Sequence, residues 1–159
     1  MANTQSMCTS FLGEILSAGH NFNTTNIART LNTVDTFKAA LYYASATLNA
    51  STTAYSVTGE IVGTGYTAGG LTVTNGVTPT ATNTSATAGT AFWTPGASLQ
   101  WTVFTQATAF DTVLLYNSSN SNKAVSVHTF GSQTITAGTF TLTMPTNTTT
   151  AALLRIGTT

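Results

Sequence analysis

The feature that most constrains the fold of this 159-residue chain is an alternation of apolar and polar residues that begins at Thr36. A period of two places successive side chains on opposite faces of a β-strand, and it is already clear over residues 37–43 (FKAALYY). Turn signals such as Asn75-Gly76 and Pro95-Gly96 then divide the chain into short segments. We predict further strands at 55–62, 70–78, 90–93, 98–105, 110–117, 123–131, 138–144 and 151–156.

Roughly eight or nine short strands without intervening helices predict an all-β fold, an antiparallel β-sandwich or jelly roll. We assign this single domain to residues 36–159. The segment 110–117 (FDTVLLYN) is apolar on both faces, so we expect a central strand that is covered on both sides. Residues 80–89 (TATNTSATAG) have the composition of a low-complexity loop.

Residues 1–35 have a different pattern, which predicts an N-terminal helix followed by an extended polar arm. Met7, Phe11 and Ile15 recur at helical spacing with Cys8, Leu12 and Leu16 beside them, and Gly19 can end the helix. Such a short helix gains most of its stability from packing against something else. The arm, residues 20–35, has isolated apolar anchors. The residues that we expect to contact a partner are therefore Met7, Phe11, Leu12, Ile15, Leu16, Phe22, Ile27 and Leu31.

The chain is nearly devoid of charge. Only 5% of its residues are charged, against about 25% in a typical soluble domain, and the formal net charge is zero. Threonine, about a quarter of the chain, keeps exposed strand faces polar. A neutral, hydroxyl-rich surface suits permanent packing against neighbours, because buried charges would cost desolvation. The alternative is a secreted or thermally tolerant β-domain with a polar surface.

The same composition argues against several classes of partner. Four scattered basic residues cannot form a phosphate-binding stripe, so we expect no nucleic-acid partner. No apolar run approaches the roughly 18 residues of a spanning helix, so we expect no membrane partner. The N-terminus lacks the basic region of a signal peptide, and the single Cys8 cannot form an internal disulfide. These features predict synthesis in a reducing cytoplasm.

No catalytic motif is evident, and we predict that the protein is not an enzyme and uses no cofactor or metal. A glycosidase needs two facing carboxylates, whereas Glu60 and Asp111 share no motif. We expect Glu60 to be a hydrogen-bonded or salt-bridged anchor. His20 and His128 lack neighbours at metal-ligand spacing. The glycines of residues 63–70 lack the spacing of a dinucleotide loop and favour a hairpin or bulge.

Aromatic residues are the remaining candidates for a binding surface, since they could line a carbohydrate platform. Burial in the core is the more common role of such side chains and is our expectation. At least one of Trp101 and Phe104 should be buried, because they fall on opposite faces of strand 98–105. The set comprises Phe92, Trp93, Trp101, Phe104 and Phe110.

Three blocks of the sequence, with the N-terminal MCTSFLGEIL, resemble a family of small virion proteins of tailed bacteriophages and prophages. The blocks begin VDTFKAALYY, FDTVLLYNSS and ALLRI, and together they cover nearly the whole chain. The resemblance implies a head decoration (cement) protein, a jelly-roll-like homo-oligomer that lies over capsomer junctions, and we take a trimer as the oligomer to test. The implied partners are the major capsid protein and further copies of this chain. The implied location is the capsid surface of the virion, after synthesis in the bacterial host cytoplasm.

On this hypothesis the β-domain supplies the oligomer contacts, and residues 1–35 lie along the capsid. Deletion of residues 1–20 should then abolish capsid binding and leave the β-domain folded. The alternative function is a tail or fibre-associated adhesin that binds a host surface glycan. Exposed tryptophan or tyrosine side chains around residues 79–96 would favour that alternative.

Overall fold

The computed structural model describes residues 3–8, 11, 15, 20, 22, 34–83 and 89–157. Its strands pair only in antiparallel fashion in these ranges, which confirms the all-β class. No helix in these ranges is long and apolar enough to cross a membrane. The strands are β1 (Ser6–Met7), β2 (Phe37–Tyr43), β3 (Leu71–Val73), β4 (Thr80–Asn83), β5 (Gly89–Trp93), β6 (Leu99–Asn117), β7 (Lys123–Leu142) and β8 (Leu154–Gly157).

The strands form two sheets. The larger has the order β1-β7-β6-β2-β3, and the smaller has the order β4-β5-β8. One face of β2 carries Phe37, and this ring lies 6.0 Å from the ring of Trp93 on the smaller sheet. The opposite face of β2 carries Tyr42 and is covered by the connection between β2 and β3, where the hydroxyl of Tyr42 donates to the carbonyl of Ser56 (2.6 Å). The core therefore extends over both faces of the larger sheet.

The predicted central strand is confirmed. The second half of β6 pairs with β2 on one side and with β7 on the other. Val113 and Leu115 project to one face, Leu114 and Tyr116 project to the other, and all four are at most 4% exposed. The apolar character of FDTVLLYN on both sides of the pleat follows from this double coverage.

Four predicted strands merge into two long ones. The segments 98–105 and 110–117 are both part of β6, and 123–131 and 138–144 belong largely to β7. The hairpin tolerates this length because its register shifts repeatedly, as between Trp101 and Phe104. Val103 lies within that shift at φ 52°, so the alternation of side chains breaks there. Consequently Trp101 and Phe104 are both buried, although period two placed them on opposite faces.

Two further strand predictions need correction, and so does one loop. Residues 55–62 form no strand, because Gly59 at φ 80° and a turn from Val57 to Glu60 reverse the chain. The predicted strand 70–78 is reduced to β3. Residues 80–83, predicted as loop, form β4, because β5 supplies a complete antiparallel partner. Gly89, the last residue of that predicted loop, begins β5, and residues 84–88 lie outside the described residues.

The N-terminal segment departs from its prediction at the start. Met7, expected to begin the helical stripe, lies in β1 and pairs with Ser126 of β7. Phe11 and Ile15 have helical backbone conformation, but the remainder of the predicted helix lies outside the described residues. Most of the predicted arm lies outside them as well. The division into an arm of residues 1–35 and a domain of residues 36–159 therefore stays a prediction.

Candidate partner-binding site

An apolar groove of about 200 Å³ lies where the N-terminal residues meet the smaller sheet. It contains three of the eight residues that the sequence singled out as partner-binding: Phe11, Ile15 and Phe22. The described residues that line it are almost all apolar. They are Phe11, Ile15, His20, Phe22, Pro79, Ala91, Phe92, Trp93, Leu154 and Ile156.

Stacked rings build one wall of this groove. The ring of Phe22 lies parallel to that of Phe37, with centroids 4.2 Å apart, and 4.6 Å from Trp93. Phe11 contacts both Phe22 and His20 edge-on, at 5.9 and 4.9 Å. Edge-to-face and offset arrangements are the favoured geometries of aromatic pairs. Because Phe11 is 1% and Phe22 9% exposed, both residues join the N-terminal segment to the core.

The smaller sheet forms the floor. Antiparallel pairing sets Leu154 opposite Trp93 and Ile156 opposite Ala91, so these four side chains share one face. The inner pair is buried, and the Nε1 of Trp93 donates to the carbonyl of Val77 (3.0 Å). The outer pair is exposed, and Ile156 keeps 41% of its surface accessible. The groove is thus closed at the core end and open at the Ile156 end.

Of the other five predicted partner-binding residues, the structure describes Met7. Met7 is half-buried and lines a separate cleft beside β7. The floor of the groove was missed by sequence reasoning, although Leu154 and Ile156 already alternate within the predicted strand 151–156. The sequence did not indicate that this strand pairs with β5. Four predicted residues lie outside the described residues, namely Leu12, Leu16, Ile27 and Leu31.

Glu60 has the geometry of a structural anchor. It is 5% exposed and accepts hydrogen bonds from the hydroxyls of Tyr55 (2.6 Å) and Tyr66 (2.7 Å) and from the amide of Gly69 (2.7 Å). Asp111 instead accepts from Asn3 and Thr112. The prediction that Glu60 is a hydrogen-bonded anchor is confirmed.

The tyrosine hydroxyls around Glu60 are held in the protonated form. Burial, reinforced by hydrogen bonding to Glu60, raises the pKa of Tyr66 far above its ordinary value. Burial also raises the pKa of Tyr116 to about 12, and its hydroxyl donates to the carbonyl of Gly69 (2.8 Å). These hydroxyls are therefore donors and not bases near neutral pH, which is the role that a structural network requires.

His128 faces the cleft between β7 and the C-terminal segment. Its Nε2 lies 2.8 Å from the Oγ of Ser126. Desolvation by burial lowers the pKa of His128 to about 4, so the imidazole is neutral at pH 7. Within the described residues, neither Glu60 nor Asp111 forms a hydrogen bond with this pair. The described ranges also contain no group of three or more His, Cys, Asp or Glu side chains suited to a metal ion.

The low pKa of His128 predicts a loss of stability in mild acid. The unfolded chain takes up this proton near pH 6.5, whereas the folded protein takes it up near pH 4. The contribution is therefore present above pH 6.5 and is lost as the pH falls toward 4. Between pH 7.5 and 5 we expect a loss of about 2 kcal/mol. Urea titrations at the two pH values measure it, and His128→Gln should remove most of the difference. An equal pH dependence in the variant would contradict this assignment.

Comparison with known proteins supplies no family for this chain. None of the family models, curated proteins or solved structures with which it was compared matches it. The functional conclusion therefore depends on the geometry described above and on the resemblance of sequence blocks stated in the sequence analysis.

Proposed function

We propose that this protein is a structural component of a bacteriophage virion, a capsid decoration (cement) protein that binds and stabilises the major capsid shell. The observation that carries the proposal is an apolar groove, open at Ile156, on a chain of zero net charge. A protein with little charge keeps little repulsion between its copies. An open apolar groove gives such a surface one place where burial is strongly favourable.

Many weak contacts suffice for this function. Each decoration subunit buries modest apolar area. Once one subunit of an oligomer is bound, the others are held at a high effective concentration near the shell, so the overall affinity exceeds that of one contact. In this proposal the protein is a homo-oligomer, with a trimer as the first state to test, and the groove receives a segment of the major capsid protein. The sequence resemblance to small virion proteins of tailed phages points to the same class.

We propose further that the two sheets pack face to face as a jelly-roll-like sandwich, preceded by a helix and an arm that reach the shell. The contact of Phe37 with Trp93 supports this arrangement, since it joins the larger sheet to the smaller one, and Phe22 packs against both rings. Cys8 and Phe11 are at most 1% exposed. A deletion of residues 1–20 would therefore remove core side chains, and point substitutions in the groove are the better test of capsid binding.

A glycan-binding tail or fibre adhesin has less support. A carbohydrate platform needs an exposed aromatic face, but Trp93 and Trp101 are each only 2% exposed and Phe92 is 9% exposed. Purified particles from a host that encodes this chain decide between the two functions. Antibody labelling on heads, with density over the capsomers in a particle reconstruction, supports decoration. Labelling confined to the tail, together with binding on a glycan array, would replace it with the adhesin.

A substitution at the open end of the groove should weaken capsid binding without unfolding the protein. Ile156→Asp places a charge where the partner would bury an apolar side chain, so we expect at least a roughly tenfold loss of affinity for undecorated heads. Co-sedimentation with such heads measures it. Val62→Asp is the matched control, because Val62 is 82% exposed and lies outside the groove. Equal binding by both variants would argue against the groove as the capsid contact.

A further inference from the structure

Two adjoining cavities lie between the larger sheet and the C-terminal segment, and we treat them together as one cleft. The inner cavity measures about 250 Å³ and the outer one about 390 Å³. Gln5, His128 and Leu153 line both of them, so these residues mark the point where the cavities meet. The cleft is distinct from the groove described above, with which the outer cavity shares Leu154 alone.

The inner cavity is apolar. Its walls come from β2, β3, β6 and β7 and from the segment that follows β7. They include Ala39, Val73, Val113, Leu115, Leu142 and Met144. Protein interiors rarely leave space of this size unfilled. An apolar cavity of about 150 Å³ already binds benzene, so the inner cavity can hold a short hydrocarbon chain.

The outer cavity is lined by both polar and apolar residues and has a single cation. Gln5, Ser6 and Ser126 contribute polar groups, and Arg155 contributes a guanidinium. One N–H of Arg155 donates to the carbonyl of Thr150 (2.6 Å), which leaves further donors of its five. None of the described residues that line either cavity is acidic. His128 is neutral at pH 7, so Arg155 is the one positive charge among those lining residues.

We propose that this cleft binds a small amphipathic carboxylic acid, with the alkyl chain in the inner cavity and the carboxylate at Arg155. A guanidinium matches a carboxylate in geometry and in charge. A single cation compensates a single negative charge, which favours a monocarboxylate over a doubly charged phosphate monoester. The apolar inner cavity in turn favours a chain over a second polar group. This binding activity does not depend on the decoration function.

Titration calorimetry with octanoate tests the proposal on the full chain. We expect saturable binding of one octanoate per chain, no measurable binding of acetate, and binding of octan-1-ol that is weaker by roughly tenfold. The acetate result would show that binding requires the alkyl chain of the ligand. The octan-1-ol result would show that binding requires the carboxylate. Absence of octanoate binding, or equal affinity for octanoate and octan-1-ol, would overturn the assignment.

Two pairs of variants locate the ligand. Arg155→Gln should lower octanoate affinity by roughly tenfold and leave octan-1-ol binding unchanged. Lys123→Gln removes the same charge outside the cleft and should change neither. Leu142→Phe fills the inner cavity and should weaken both ligands. Leu71→Phe makes the same replacement at a half-buried residue outside the lining and should weaken neither.

Circular dichroism and the thermal midpoint establish that each variant is folded before it is titrated. If Leu142→Phe is unfolded, Met144→Phe tests the same cavity from the irregular segment after β7. Octanoate binding that survives both Arg155→Gln and a folded cavity-filling variant would place the ligand elsewhere and overturn the proposal.

Discussion

Gly70→Ala should destabilise the protein by about 3–5 kcal/mol, or prevent it from folding. Gly70 precedes β3 at φ 70°, a backbone conformation that residues with a side chain rarely adopt. An added Cβ would overlap the carbonyl oxygen of Ala39 and come within 2.7 Å of the Cα of Ala40. Both obstacles are backbone atoms of β2 that cannot move without breaking the pairing of β2 with β3. Urea denaturation, with the yield of folded protein, measures the effect.

Gly131→Ala is the matched control for this prediction. Gly131 has φ 82°, but a Cβ there would meet nothing within 4 Å. Its replacement therefore incurs only the left-handed backbone strain, about 1–2 kcal/mol. The difference in the free energy of unfolding between the two variants measures the contribution of the close approach of Gly70 to β2. Equal destabilisation by the two substitutions would show that backbone strain alone governs Gly70.

Glu60→Ala should lower the free energy of unfolding by about 3–5 kcal/mol. The substitution removes the acceptor for the hydroxyls of Tyr55 and Tyr66 and for the amide of Gly69. Tyr66 also accepts from the amide of Leu41 (3.0 Å), so its displacement would loosen the connection against β2. Each buried donor that loses its acceptor costs about 1–3 kcal/mol. Urea titration gives the loss.

Glu60→Gln separates the hydrogen bonds from the charge. The amide oxygen of glutamine can still accept from Tyr66 and Gly69, and its NH₂ group can donate to the hydroxyl oxygen of Tyr55. We expect a loss of about 1–2 kcal/mol, because only the charge-assisted part of the network disappears. A glutamine variant as unstable as the alanine variant would mean that the negative charge, and not donor satisfaction, dominates at this site.

The elements that sequence reasoning predicted best are those with a strong local pattern. The alternation in residues 37–43 and the doubly apolar segment 110–117 each locate a strand, because burial on one or both faces is recorded directly in the side chains. The role of Glu60 was also accessible, since a lone acid beside glycines and tyrosines in a β-rich chain needs hydrogen-bond donors. The elements predicted least well are those that depend on pairing with another strand, such as β4 and the long β6–β7 hairpin.

The groove illustrates the same limit at the level of a site. The apolar character of Phe11, Ile15 and Phe22 was visible in the sequence, as was the alternation of Leu154 and Ile156. The sequence did not show that these two groups of residues lie together in one groove. More than 130 residues separate Phe22 from Leu154, and no local pattern encodes which strand β8 pairs with.

The sequence by itself determined the all-β class, the neutral surface and the candidates for burial, because period, composition and side-chain size act over a few residues. Only the tertiary structure decided where the alternation breaks, as at Val103, and which segments close a sheet, as β5 does between β4 and β8. Strand pairing is a contact between distant segments, and its free energy depends on the whole partner strand. The alternation that begins at Thr36 therefore identifies strands. Their register, their bulges and the two cavities beside the C-terminal segment arise only when the sheets assemble.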